Sequence, residues 1–171
     1  MNPTDSPLPR LARLPPPPIA LAGSANFEVI MAKKKSKTSV ARKACQQIQQ
    51  YARLSQCDEN GYGSCCSCGE QKHYSDCDGG HFQPKTRAYN AACIDERNVH
   101  FQCKRCNGFL GGNPAGYSDF MIIMYGEEIL EELRLLACQP GEREKMQEAY
   151  EKYRALNKEL AKTKMFEVRL Y

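Results

Sequence analysis

Asp78, Gly79, Gly80 and His81 place a carboxylate and an imidazole three residues apart around two glycines. Glycine allows sharp backbone turns and close approach of a ligand, so the spacing can bring both groups to one side of a turn. A carboxylate oxygen suits a hard cation such as Mg²⁺, and histidine is the side chain that accepts a proton near neutral pH. The pair could activate water beside a metal-bound phosphate. It could also be a polar turn, or lend His81 to a metal held mainly by cysteines.

The cysteines supply that second metal. Cys65 and Cys68 form one CxxC knuckle and Cys103 and Cys106 another. Each tight turn aims two sulfurs at one ion, and four thiolates make the closed tetrahedron of structural zinc. An iron-sulfur cluster or two separate redox pairs explains the spacing less economically. Cys66 makes the first knuckle ambiguous, but only Cys65 gives the two-residue gap to Cys68. Cys45, Cys57, Cys77, Cys93 and Cys138 are left as spare thiols, buried or simply reduced. Residues 69–102, between the knuckles, exceed the interval of a simple zinc ribbon and must carry structure of their own. They contain the Asp78–His81 stretch. Asn98 precedes the second knuckle, while Asn107 and Asn113 follow it.

The elements that position these groups are mostly helical. Val40, Ala44, Ile48, Tyr51 and Leu54 recur at helical spacing from Thr38 to Leu54. Arg42, Lys43, Gln46, Gln47, Gln49, Gln50 and Arg53 fill the rest, which predicts a basic, glutamine-rich outer surface over residues 37–56. Residues 57–117 hold all three histidines and every cysteine but Cys45 and Cys138, so they form the chemical core. Beyond Pro114, Ser118 or Asp119 can cap "FMIIMY", Gly126 breaks the helix, and "EEILEELRLLA" restarts it with acids at its favourable end. After Gln139-Pro140-Gly141 a third helix carries Met146, Ala149, Tyr150, Tyr153 and Leu160 on one stripe. Residues 118–165 are thus a region for support or dimerisation, the stripe facing either the chain's own core or a second copy.

The chain has 171 residues, 42% of them hydrophobic, enough for one modest core. No stretch approaches the roughly 18 apolar residues of a membrane span. Ile19-Ala20-Leu21-Ala22 follows four prolines and makes a poor signal-peptide core, so the cytoplasm is the expected compartment and the cysteines are expected to bind metal or stay reduced. The proline-rich segment opposes helix and sheet, so residues 1–36 read as a disordered proline-rich and basic tail, with Met31 as an alternative start. The net charge of +4 is uneven: every charged residue from 31 to 57 is basic, whereas 118–171 mixes both signs with acids in excess. A basic block favours a polyanion, most simply nucleic acid.

The order of "CCSCG", "DGGHF", "ERNVHFQCKRCN" and "GGNPAGY" resembles the His-Me finger or HNH nucleases, and more closely the phage recombination protein NinG (Rap) family of branched-DNA endonucleases. The resemblance covers roughly Lys37 to Leu160. It implies an α+β fold with a small zinc-stapled ββα core, flanked by an N-terminal helix and C-terminal helices. It implies further that His81 is the general base, that Asp78 and Asn113 hold a catalytic Mg²⁺ or Mn²⁺, and that Asn98 pins the loop between the strands and so orients the histidine. His100 would touch phosphate or pack internally. Lys33, Lys34, Lys35, Lys37, Arg42 and Lys43 would contact the DNA backbone. The family's additional cysteine-rich segment and long charged stretch before the first helix are replaced here by the proline-rich tail and a short lysine cluster.

The expected activity is Mg²⁺-dependent hydrolysis of DNA phosphodiesters at branches such as Holliday junctions, in the cytoplasm of a bacterial host. Symmetric nicks across a junction would require a homodimer. The alternatives are a zinc-stapled DNA-binding recombination accessory without catalysis, and a zinc-organised protein-interaction domain that would show no salt-dependent DNA affinity.

Overall fold

A computed structural model describes residues 24–85 and 89–171, with side chains from Val40 onward. The proline-rich stretch before Ser24 and the side chains of Lys33, Lys34, Lys35 and Lys37 lie outside the described residues. The architecture is α+β. Helix α1 (Ser24–Ser55) starts upstream of Thr38, inside the stretch expected to be a tail, because no proline or glycine interrupts residues 24–38.

Helix α1 lies at the centre of the fold. Ala41, Ala44, Cys45, Ile48 and Ala52 pack against Met146, Ala149 and Tyr153 of α4 (Arg143–Lys162), so that stripe faces the chain's own core. The small alanines let the two helices approach closely. Gln47 and Gln50, expected on the outer surface, are instead 3% and 1% exposed. The C-terminal segment crosses α1 there, and the carbonyls of Tyr171 and Arg169 accept hydrogen bonds from Gln47 Nε2 (3.0 Å) and Gln50 Nε2 (2.8 Å). Asn157 of α4 donates to the backbone and side-chain oxygens of Gln47. An amide side chain is buried without great cost once such partners exist. Arg42, Lys43 and Gln46 remain exposed.

Strands β1 (Tyr62–Ser64) and β2 (Gln71–His73) form one antiparallel pair; β3 (Cys77–His81) and β4 (Val99–Cys103) form another. In the second pair Cys77 lies opposite Cys103 and His81 opposite Val99. Side chains alternate across a strand. Cys77, Gly79 and His81 therefore share one face with Val99, Phe101 and Cys103, while Asp78 and Gly80 share the other with His100 and Gln102. The first face meets α1: a Cβ added at Gly79 would lie 2.6 Å from the Gln49 Cα. The second meets α2 (Pro114–Tyr125), whose Tyr117 hydroxyl donates to the Gly80 carbonyl at 2.9 Å.

Helix α2 opens at Pro114 with Asn113 as its cap residue, upstream of the expected Ser118 or Asp119. Proline's fixed φ and missing N–H suit the first helical position. Gly126, at φ 88°, ends the helix, and α3 (Glu128–Cys138) follows with Glu128 and Glu131 in its first turn. Tyr117, Met121, Ile129 and Leu133 pack with Cys66 in a core of their own. Among the described residues no helix is long and apolar enough to cross a membrane.

Candidate functional site

The two knuckles converge. Cys65 follows β1, Cys103 ends β4, and Cys106 lies in the π-helical turn Arg105–Phe109; with Cys68 their four sulfurs all lie within 4.8 Å of one another. Backbone amides serve the sulfurs: Cys103 N–H donates to Cys65 Sγ (3.3 Å) and Cys106 N–H to Cys103 Sγ (3.4 Å). Such donors favour thiolates. A hydrogen bond from the Cys66 thiol, with the amides of Cys103, Ser67 and Cys68, brings Cys65 down to about 4 against the opposing effect of burial. Burial pushes Cys106 up to about 12, and a bound cation reverses that effect by binding the deprotonated sulfur. This set can hold a structural metal such as zinc. Cys66 is absent from it and packs against α2 and α3, so the sulfur of "CCSC" that joins Cys68, Cys103 and Cys106 in space is that of Cys65.

Asp78 and His81 do not meet as expected. The stretch is a strand rather than a turn, and an offset of three residues puts the two on opposite faces of β3. On the α2 face, Asp78 Oδ2 accepts a hydrogen bond from Asn107 Nδ2 at 3.0 Å. Asn113, the expected companion of Asp78, turns its amide to the Ser67 carbonyl (3.1 Å) and Cys106 Sγ (3.6 Å) instead. Asn107 carries no assigned role in the sequence. The signal for it is its place directly after the second knuckle, at the end of β4 beside β3.

His81 points to the α1 face. Its Nε2 lies 3.1 Å from the Cys93 carbonyl, which can only accept, so Nε2 carries the proton and Nδ1 the lone pair. Nδ1 is buried and has no hydrogen-bond partner. Burial, with a smaller contribution from Lys85, lowers the imidazole to about 4, so the ring is neutral at physiological pH.

Asn98 is 0% exposed and ties the ends of the loop between β3 and β4. Its Oδ1 accepts from Gln83 N–H (2.7 Å), and its Nδ2 donates to the carbonyls of Gln83 (3.1 Å) and Ala92 (2.8 Å). The same loop presents the Cys93 carbonyl to His81.

His100 is buried rather than at the surface. It is 2% exposed, with Nδ1 3.0 Å from the Tyr117 hydroxyl and Nε2 2.9 Å from the Tyr125 hydroxyl. Burial lowers it to about 4, so a neutral ring bridges the two tyrosines. Even-numbered positions of β4 face α2, which places His100 in internal packing, the second of the two roles expected for it. Of the expected DNA-binding residues with described side chains, Arg42 and Lys43 remain at the surface, on α1.

No curated protein and no solved structure matched the chain. The family model described as Bacteriophage Lambda NinG protein matches residues 24–164, from the first residue of α1 to just beyond α4, and the chain belongs to that family.

Proposed function

We propose that the chain is a metal-dependent endonuclease acting on branched DNA in phage-type recombination, built on a His-Me finger core of β3, β4 and the helical segment after them. The observation that carries this reading is the locked tautomer of His81. The Cys93 carbonyl fixes the proton on Nε2, leaving Nδ1 as an unpartnered base at the end of a strand. A water proton passes to Nδ1 as the water oxygen bonds to phosphorus and the 3′-oxygen leaves and takes a proton from solvent, giving a 5′-phosphate and a 3′-hydroxyl. The negative phosphate beside the ring raises its pKa from the low value set by burial, which makes it a better base when substrate is present.

Asp78, with the Asn107 amide beside it, offers oxygen donors of the kind Mg²⁺ or Mn²⁺ takes while keeping several waters. Such an ion, when bound on the α2 face, would neutralise phosphate charge there, on the side of β3 away from His81. Asn98 holds the loop that orients His81. The four-cysteine site has no open coordination position and acts as a staple. Arg42 and Lys43, with the lysines before them, contact the DNA backbone and give salt-sensitive binding without base specificity.

The opposite facing of Asp78 and His81 favours a second reading, a zinc-stapled DNA-binding accessory without catalysis. Incubation with Mg²⁺ and four-way junctions, flaps and plain duplex separates the two. Cleavage that His81→Ala abolishes, with the four-cysteine metal retained, supports the endonuclease. Binding to all three substrates with none cut supports the accessory.

A further inference from the structure

Cys45 on α1, His81 at the end of β3 and Cys93 in the turn Ala91–Ile94 bring two thiols and an imidazole nitrogen within 4.8 Å of one another. No two of them are near in sequence, so the tertiary fold builds the cluster. Cys45 is 1% and Cys93 0% exposed. Cys45 Sγ lies 3.7 Å from the Cys93 carbonyl, and the Cys93 thiol donates to Asn90 Oδ1 at 3.2 Å. The His81 ring donates one N–H to a backbone carbonyl and keeps a buried lone pair with no hydrogen-bond partner. A histidine that ligates zinc is held in the same way, its other ring N–H on a carbonyl that fixes the tautomer. Two thiolates and a neutral imidazole also cancel the charge of Zn²⁺, and the donors are the nitrogen and sulfur that this ion prefers.

We propose that Cys45, His81 and Cys93 form a second zinc site, distinct from the four-cysteine staple, and that zinc bound there withholds His81 from proton transfer. The second clause rests on the endonuclease reading; the first does not. Each thiol releases its proton to solvent as its sulfur binds. The fourth position falls to Asn90 Oδ1, beside Cys93, or to solvent.

The test is metal content of the full chain saturated with zinc and freed of loose ion. Wild type should hold two zinc ions per chain, and Cys45→Ser and Cys93→Ser one each, with unchanged circular dichroism. One ion in wild type, or a second ion that survives both substitutions, overturns the proposal. Zinc K-edge absorption on wild type needs no variant: a first shell averaging sulfur with some nitrogen supports the site, and an all-sulfur shell refutes it. In cleavage assays on a four-way junction with Mg²⁺, the second zinc equivalent should suppress cutting by wild type but not by Cys45→Ser. Unsuppressed cutting with the second zinc bound overturns the withholding role. Absence of cutting at every zinc level refutes the endonuclease reading and leaves the metal count standing.

Discussion

Asn98→Ala tests how far one buried amide holds the site together. The side chain makes three hydrogen bonds, to the Gln83 N–H and to the carbonyls of Gln83 and Ala92, and is 0% exposed. Alanine removes all three and leaves the half-buried amide and carbonyl of Gln83 and the buried carbonyl of Ala92 without these partners. At roughly 1 kcal/mol per bond, with more where a buried group stays unsatisfied, the loss is about 2–4 kcal/mol. Urea unfolding of the zinc-loaded protein reads that loss as a lower midpoint at unchanged slope. Hydrogen exchange should speed first in the described residues of the loop between β3 and β4, since among them the bond from Phe82 N–H to the Asn98 carbonyl (2.9 Å) is the backbone tie that remains between the loop's ends. Asn98→Asp keeps the acceptor for Gln83 N–H but turns an oxygen towards two carbonyls, so its loss should be at least as large. A loss under 1 kcal/mol in both variants, with unchanged exchange in the loop, would refute the argument that Asn98 organises it. Because the Cys93 carbonyl rides on this loop, cleavage by any active protein should fall in the same variants.

Gly79→Ala puts a methyl group against the backbone of Gln49, 2.6 Å from its Cα, and neither chain can rotate away. We expect a loss of about 1–3 kcal/mol or more as α1 shifts off β3, read by thermal unfolding. His100, held neutral by burial at about 4 against an ordinary 6.5, contributes stability in full above 6.5 that is lost as pH falls towards 4. The loss reaches on the order of 3 kcal/mol, because the unfolded state binds the proton first. Urea midpoints at pH 7.5, 6 and 5 should therefore fall more steeply for wild type than for His100→Gln, and parallel curves would count against the buried neutral ring. Cys66→Ala should keep the staple metal while Cys65→Ala releases it, as read by metal analysis. Equal retention in both would mean that the sulfur at position 66 can take over the site.

Local spacing made part of this molecule legible. Each CxxC knuckle is a single turn, so its sulfurs converge whatever the rest of the chain does, and Gly126 stops a helix by its own backbone freedom. Other features depend on partners far away in sequence. Gln47 and Gln50 read as solvent-facing because their periodicity is right and their chemistry polar, yet the carbonyls that bury them come from Tyr171 and Arg169. His100 reads equally as a phosphate contact or as internal packing, and only Tyr117 and Tyr125 of α2, which take both nitrogens, decide between them. Cys45 and Cys93 read as spare thiols because nothing in the order of residues says that α1 crosses the end of β3.

The two glycines of "DGGHF" show the same limit at closer range. Side by side between polar residues they read as a turn that lets phosphate come near, but neither has the positive φ that would demand glycine. What demands it is space. A Cβ at Gly79 would strike the backbone of Gln49 on one face, and a Cβ at Gly80 would lie 2.9 Å from the Gln102 Cδ on the other. The missing side chains let β3 lie flat between α1 and the elements beside α2, and that sandwich fixes the register of the strand. A slip of one residue would exchange the faces, sending His81 to the α2 side and Asp78 to the α1 side. Steric fit at Gly79 and Gly80 thus decides which way the imidazole and the carboxylate point, a role that their conformational freedom does not supply.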